Sequence, residues 1–523
     1  MQLSLTLLGL LLVGQFTEAQ HSELEVDNDY YDYFDLEDSN TVDSSIYAPS
    51  RRNWKTITDT VVKERTLMSL GCPRRAGMRD PAGKVSVVFT SPTTFEDVKI
   101  KLDPDDMNWT VMQLIEAGFN VTQNSVMYAH GWTEGPSQPW GRKLRRRYAN
   151  IFRSAEKRPT YNLLFLDYHH DAHMFYRQTV SKVPALAALL AQFLNALKPF
   201  GCTMEQFHIL GFSLSAHIVG VAGLILRRAG NPIRQITGLD PAGPCFFRDS
   251  DFAHEYTLSP DAANLVVTRH YGYNKLGAHA LVGGLDILIN GGKDQPVSGK
   301  ISAYGRFKML YGVSDHMAAV FHESGGVMSS ECYDVAYKCD NYANFLDGAC
   351  ARCGPGEENH CYTIGTLISG ANRALVPIYD RETRMFIKMG GKRYCLYHYQ
   401  LVVELRQEAS NLLRSLFDNA KIRVNLGTDT VVKPKKMLTC AGTVVYTVLV
   451  TSESQLSHSM DVTLATSTPV SIEEFRGVKL IRFNYMSHPI DSSRRAKSFG
   501  FCQNEANPLS FLPCEVQNRG IAC

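Results

Sequence analysis

Seven residues, Gly211-Phe212-Ser213-Leu214-Ser215-Ala216-His217, constrain the fold more than any other stretch of this chain. They follow the apolar run Phe207-His208-Ile209-Leu210, which reads as a short strand, and lead into Ile218-Val219-Gly220-Val221-Ala222-Gly223-Leu224, which continues in a helix-compatible pattern. A strand that turns at once into a helix leaves little room at the turn. A side chain on either flank of Ser213 would collide with the neighbouring strand or helix. Gly211 meets that demand, and Ser215 stands where a second glycine is usual. Serine is small enough for the turn to survive with slight strain. Such a turn holds the Ser213 hydroxyl clear of the sheet. Taken alone the pattern is weak, and its neighbours decide its meaning.

Two further segments supply partners in the order Ser, Asp, His. Ile236-Thr237-Gly238-Leu239 ends in Asp240-Pro241, and the proline stops the strand and leaves the carboxylate at its tip. Further on, His316 lies in Ser314-Asp315-His316-Met317-Ala318-Ala319-Val320-Phe321-His322-Glu323-Ser324, read as a polar turn before a helical segment. A serine at its free pKa is a poor nucleophile. His316 would have to take its proton, while Asp240 holds the imidazole tautomer and stabilises the imidazolium. Each of the last two alone reads equally well as a turn cap and a helix neighbour.

Together these segments resemble the pancreatic lipase family of secreted lipid esterases, and other matches keep the same order over roughly residues 70 to 523. Tyr128-Ala129-His130-Gly131-Trp132 is similar to the family's oxyanion loop, which would make the backbone N–H groups of Trp132 and Leu214 the oxyanion donors. Leu163 to Tyr168 resembles a strand ending in Asp-Trp, and Gly284 to Gly292 the family's Asn-Gly-Gly turn. The resemblance implies an α/β-hydrolase catalytic domain followed by an all-β, PLAT-like sandwich. It also implies acyl-ester hydrolysis at a lipid–water interface, with no cofactor needed for the chemistry. In the pancreatic enzymes a disulfide clamps the base of a lid; here Ser298 and Ser314 stand at the matching positions. The segment between them, Gly299 to Val313, mixes Ile301, Tyr304, Phe307, Met309, Leu310 and Tyr311 with Lys300, Arg306 and Lys308. It reads as an amphipathic interface-sensing lid, or else as a packed surface loop. Short lids in this family accompany phospholipases that cleave the first acyl ester.

The chain opens with the apolar segment Leu3 to Val13 and a small-residue cleavage signal ending at Ala19, although no Lys or Arg precedes it. Export is therefore expected, and Asn108-Trp109-Thr110 and Asn120-Val121-Thr122 are glycosylation sequons that fit it. No later apolar stretch reads as a membrane span. Thirteen cysteines in an exported chain read as a disulfide set, with an odd one left over. Cys350-x-x-Cys353 is also metal-like in spacing. The family resemblance implies Cys339–Cys350 and Cys353–Cys361 pairs, and a C-terminal closure of Cys502 with either Cys514 or Cys523. Cys395 with Cys440 and Cys202 with Cys245 complete the expectation.

Charge divides the chain. Residues 1–50 carry no Lys or Arg, and the acids among them interleave with Tyr30, Tyr31, Tyr33 and Phe34. Residues 20–65 are thus expected as an acidic disordered segment, a candidate propeptide cut at Arg51-Arg52 with tyrosines open to sulfation. The remainder holds all 54 basic residues but only 42 acidic ones, a net charge of about +12, concentrated in Arg142 to Arg147. Such a surface suits anionic lipid or sulfated glycans, and reads equally as solvated helix faces. No nucleic-acid-binding module is present. The catalytic domain is expected over 66–385, from strand-like runs alternating with helices. A lipid- and partner-binding sandwich is expected over 386–523, where Tyr397, Tyr399, Leu401, Val403 and Leu405 set a period of two. Whether it takes a cofactor protein is open. Asp249, Asp251, Glu255 and Asp261 offer oxygen ligands for a structural calcium, but Ser259 replaces an expected acid, so the metal is unassigned. The expectation is a secreted serine esterase acting on triacylglycerol or phospholipid; the rival is a catalytically silent relative that binds or stores lipid.

Overall fold

The structure is a computed structural model that describes residues 72–73, 84–91, 94, 96–154, 161–247, 256–296, 308–325, 334–350, 360–364, 383–391, 395–419, 422–425, 429–432, 434–438, 444–452, 462–466, 472–486, 498–504, 506 and 510–514. Residues 1–65, read as a signal peptide and an acidic segment, residues 298–307, Cys353, Cys440, Cys523, Asp249, Asp251 and Glu255 lie outside the described residues.

Strand and helix alternate through the first part of the chain: β1 Ser86–Thr90, β2 Asp97–Lys101, α1 Met107–Glu116, β3 Asn124–Ala129, α2 Pro139–Ser154, β4 Tyr161–Asp167, α3 His169–Ala172, α4 Tyr176–Ser181 and α5 Val183–Ala196. Then come β5 Phe207–Phe212, α6 Leu214–Arg228, β6 Gln235–Leu239, β7 Leu265–His270, β8 Leu285–Ile289, α7 Lys308–Gly325, β9 Val335–Lys338, α8 Tyr342–Leu346, β10 Cys361–Thr363 and β11 Thr383–Ile387. They form an eleven-stranded sheet in the order β10-β9-β11-β8-β7-β6-β5-β3-β4-β1-β2. The strands from β11 to β4 in this order pair in parallel, and the outer pairings β10–β9, β9–β11, β4–β1 and β1–β2 are antiparallel.

The central strands are buried on both faces, so their sequences are nearly continuous apolar runs. Alternate residues go to opposite cores: Met127, Leu164, Leu166 and Ile209 to one, Val126, Tyr128, Phe165 and Phe212 to the other. Strand order reverses between β3 and β5, and a crevice forms at the carboxyl ends of strands at such a point. Register makes those ends level, with Ala129 opposite Gly211 and Phe212 opposite Leu239. This is the α/β-hydrolase arrangement.

The run Val183–Phe200 matches a membrane span in length and apolarity. In the fold it is a core helix: Val183, Leu186, Leu190, Phe193 and Leu194 are buried beside α6.

A second sheet follows, of β12 Tyr397–Leu405, β13 Ile422–Asn425, β14 Asp429–Val432, β15 Lys435–Leu438, β16 Val444–Ser452, β17 Val462–Thr466, β18 Val478–Tyr485, β19 Ser498–Gln503 and β20 Ser510–Cys514. All its pairings are antiparallel. Helix α9, Asn411–Asn419, places Leu413 and Phe417 in the same core as Tyr399, Leu401, Val403 and Leu405 of β12. The apolar alternation supplies this core, while on the opposite face of β12 His398 and Val402 are also buried and Gln400 and Glu404 half-buried. The first sheet ends at Ile387, two residues past the boundary read at 385, because β11 pairs in parallel with β8.

Two expectations change. Cys245 is bonded to Cys72, and Cys202 is a free thiol buried in the core after α5. Cys202 lies buried among apolar side chains, and the Cys245 sulfur is taken by Cys72. Secondly, His316 lies well inside α7, because Lys308 to Val313, read as the end of a lid, already form helix. Lys, Met and Leu there are good helix formers. Cys339–Cys350 and Cys502–Cys514 are bonded, and Cys361 and Cys395 each take part in a disulfide.

Candidate active site

Ser213 occupies the single residue between β5 and α6, with φ 56° and ψ −119°. That left-handed backbone costs a non-glycine residue on the order of 1–3 kcal/mol and persists only where neighbours impose it. Here its N–H donates to Leu239 O at 3.0 Å and its carbonyl accepts from Ala242 N–H at 3.1 Å. A Cβ at Gly211 would lie 2.7 Å from both Ala216 Cα and Ser215 O, so only glycine fits. Ser215 turns the missing second glycine into an anchor. Its Oγ lies 2.6 Å from Ala129 O and 2.9 Å from Phe212 O, tying the end of β3 to the turn.

Asp240 caps β6 with φ 43° and donates its N–H to Arg269 O at 2.8 Å. The carboxylate is fully buried. Its Oδ1 accepts Tyr271 N–H at 2.7 Å and Gly272 N–H at 3.0 Å, while Oδ2 lies 2.6 Å from His316 Nδ1. A Cβ at Gly277 would stand 2.6 Å from Oδ1, so the loop can pass this close only without one. His316 Nε2 lies 2.7 Å from Ser213 Oγ, and the Phe212 ring packs 4.8 Å from the imidazole. The three residues predicted from separate segments therefore form one continuous hydrogen-bonded chain.

The loop after β3 is built around a buried carboxyl that the sequence reading missed. Glu134 Oε2 accepts Gly131 N–H at 2.7 Å, and Thr133 N–H donates to Ala172 O at 3.0 Å. The N–H of Trp132 between them, and that of Leu214 in the first turn of α6, donate to no group among the described residues. His130 donates from Nδ1 to Gly131 O and accepts Tyr168 N–H at Nε2. Burial holds this imidazole neutral, its pKa lowered to about 4.

Burial also pushes the Glu134 carboxyl up to about 8, against the opposing pull of the Gly131 N–H. A folded-state value above the unfolded one means the protein binds an extra proton when folded. The contribution to stability is complete below about pH 4.5 and is lost as pH rises through about 8. Glu134→Gln keeps an oxygen for Gly131 and removes the titration. The melting temperature of the wild type should therefore fall more steeply between pH 5 and pH 9 than that of the variant; parallel curves would refute the assignment.

Behind the triad lies more buried polarity that sequence reasoning missed. Arg269 pairs with Glu323, which also accepts from Tyr148, and Tyr271 Oη meets His322, whose Nε2 lies 3.0 Å from Asp334. The one available signal was spacing: Val320 and Glu323 fall on the helical face of His316. One residue after Ser314, Asp315 Oδ1 accepts Gln295 N–H at 2.8 Å and Oδ2 pairs with Lys275 at 2.5 Å. These contacts join the chain before residue 297 to the helix carrying His316.

Asn108 and Asn120 are both exposed. Of the calcium candidates, Asp261 is exposed, and no metal-holding cluster of His, Cys, Asp or Glu occurs among the described residues.

The chain is 28% identical over 320 residues to "Lipase member H" of Rattus norvegicus, covering 57% of this chain and 66% of that one. It is 31% identical over 293 residues to "Phospholipase A1 member A" of Bos taurus, covering 56% and 60%. It thus spans less than two thirds of the length of these two relatives. The human "Phospholipase A1 member A" is 29% identical over 341 residues. The family profile described as "Lipase" matches residues 89–392, from β1 to just beyond β11. That span is more than half of the chain and holds the elbow, the acid and the histidine alike: the chain belongs to the pancreatic lipase family.

Proposed function

We propose that this protein is a secreted serine esterase that hydrolyses acyl esters of lipids. One observation carries the reading: Ser213 Oγ, His316 and Asp240 are joined at 2.7 and 2.6 Å in a buried, low-dielectric setting. Ser213 attacks the acyl carbonyl as His316 Nε2 takes its proton, and the Asp240 carboxylate stabilises the imidazolium at Nδ1. The oxyanion is received by the unengaged N–H groups of Trp132 and Leu214. His316 then returns its proton to the departing alcohol. Water, deprotonated by the same imidazole, releases the fatty acid from Ser213. A silent lipid-binding relative would have no need of this chain.

The catalytic domain corresponds to about 66–385 and the lipid- and partner-binding PLAT-like sandwich to about 386–523. Export, the cleavage after Ala19 and glycans at Asn108 and Asn120 belong to the same reading, supported by the disulfides. The short segment read as Gly299 to Val313, of which residues 308–313 are helix, and the names of the bovine and human relatives favour phospholipid over triacylglycerol. Fatty-acid release should be measured from phospholipid vesicles and from emulsified triacylglycerol, with faster release from the vesicles expected. A folded protein that releases nothing from either lipid would sink the esterase reading.

A further inference from the structure

The link between α3 and α4 places two apolar side chains in solvent beside the site. Phe175 is 60% exposed and Met174 38%. Their backbone is firmly held. Trp132 Nε1 donates to Met174 O at 2.8 Å, Gln178 and Thr179 N–H donate to Phe175 O, and Met174 N–H donates to Asp171 O. Tyr176, the next residue, donates its hydroxyl to Pro244 O at 2.9 Å, and its ring meets that of Trp132 edge-on at 5.2 Å. The link therefore spans the rim from the loop after β3 to the loop after Asp240. A rigid frame that presents a phenylalanine outward at a catalytic rim gains nothing in water.

Charge indicates what covers it. Arg177 is exposed next to the tip. Beyond Trp132 the chain enters α2, whose Arg142 and Arg146 are exposed. Across 130–154 and 168–182 the only carboxylates are Glu134 and Asp171. Both are buried, and Asp171 is paired with Lys182. The rim thus shows solvent an apolar tip and cations, with no exposed carboxylate in these stretches.

We propose that Met174 and Phe175 insert into an anionic phospholipid surface while Arg177 and the exposed arginines of α2 engage its phosphates, seating the mouth of the site on its substrate layer. The proposal rests on the lipid-esterase reading and identifies the surface that reading needs. An apolar tip sinks to the boundary between headgroups and acyl chains, and guanidinium forks match phosphate oxygens.

The test uses mature protein carrying Ser213→Ala, so that binding is read without consuming lipid. It is sedimented with vesicles of phosphatidylcholine alone and of phosphatidylcholine with a quarter phosphatidylglycerol. Met174→Ser/Phe175→Ser should lower partitioning onto both at least about tenfold, the factor that one inserted aromatic side chain supplies. Arg177→Glu should weaken partitioning onto the anionic vesicles only. Phe175→Trp should preserve binding and shift its fluorescence to the blue when vesicles are added. In protein that retains Ser213, the double substitution should leave hydrolysis of a soluble short-chain ester within about twofold. Unchanged partitioning of the double variant, or no fluorescence shift, would overturn the proposal. Partitioning as expected with no ester hydrolysis by the Ser213 protein would remove the esterase reading and leave the docking surface standing.

Discussion

Ser213→Ala is expected to abolish fatty-acid release, lowering turnover by about 10⁶-fold if this triad behaves as a unit. The loss should appear in kcat, with lipid binding retained, because the hydroxyl is the attacking group and contributes little to holding a lipid ester. Folding should be unharmed. The Ser213 side chain donates to no structural acceptor among the described residues, and the strained backbone at φ 56° is imposed by the N–H and carbonyl bonds to Leu239 and Ala242. Alanine relieves nothing and removes nothing from that frame. The check is single-turnover release beside a melting curve. A variant that melts like the wild type yet still releases acid would remove Ser213 from the mechanism.

Asp240→Asn should cost about 10⁴-fold, and the geometry explains why a neutral isostere is so poor. Two backbone N–H groups, from Tyr271 and Gly272, converge on Oδ1, so an asparagine must turn its carbonyl oxygen toward them. Its amide NH₂ then faces His316 Nδ1, where the carboxylate now accepts. Two donors cannot face each other, so the imidazole would carry its proton on Nε2, the nitrogen that must accept from Ser213. The pH–rate profile of kcat/KM checks this: the residual activity should recover at high pH, as alternative bases replace the mis-protonated imidazole. An unchanged kcat would refute the assignment of Asp240.

What could be read before the structure was the chemistry placed at element ends. Ser213, Asp240 and His130 each follow directly on an apolar strand, and a strand end is visible where a proline or a glycine interrupts the run. The core face of β12 was legible because Tyr399, Leu401, Val403 and Leu405 recur at a period of two, although His398 and Val402 on the other face are buried as well. What escaped was pairing across distance. Arg269 and Glu323 are 54 positions apart, and Tyr148 and Glu323 are 175 apart. No local pattern marks such residues as mutually buried. Glu134 was hidden likewise, because a carboxyl in a turn looks solvated until the loop closes over it. The helix carrying His316 began earlier than expected because its first residues are apolar and basic in a mixture that suits a surface loop equally well.

The bond between Cys72 and Cys245 closes a loop of 173 positions, and this sets a contest among thiols while the chain is being made. Synthesis runs from the N-terminus, so Cys202 emerges before Cys245 and offers Cys72 a wrong partner first. Thiolate, not thiol, carries out disulfide exchange. Once α5 and its neighbours pack, Cys202 is buried and its thiol is pushed up to about 11, which leaves almost no thiolate at neutral pH. Formation of the core thus withdraws the competitor, and Cys72 stays available for the loop that follows Asp240.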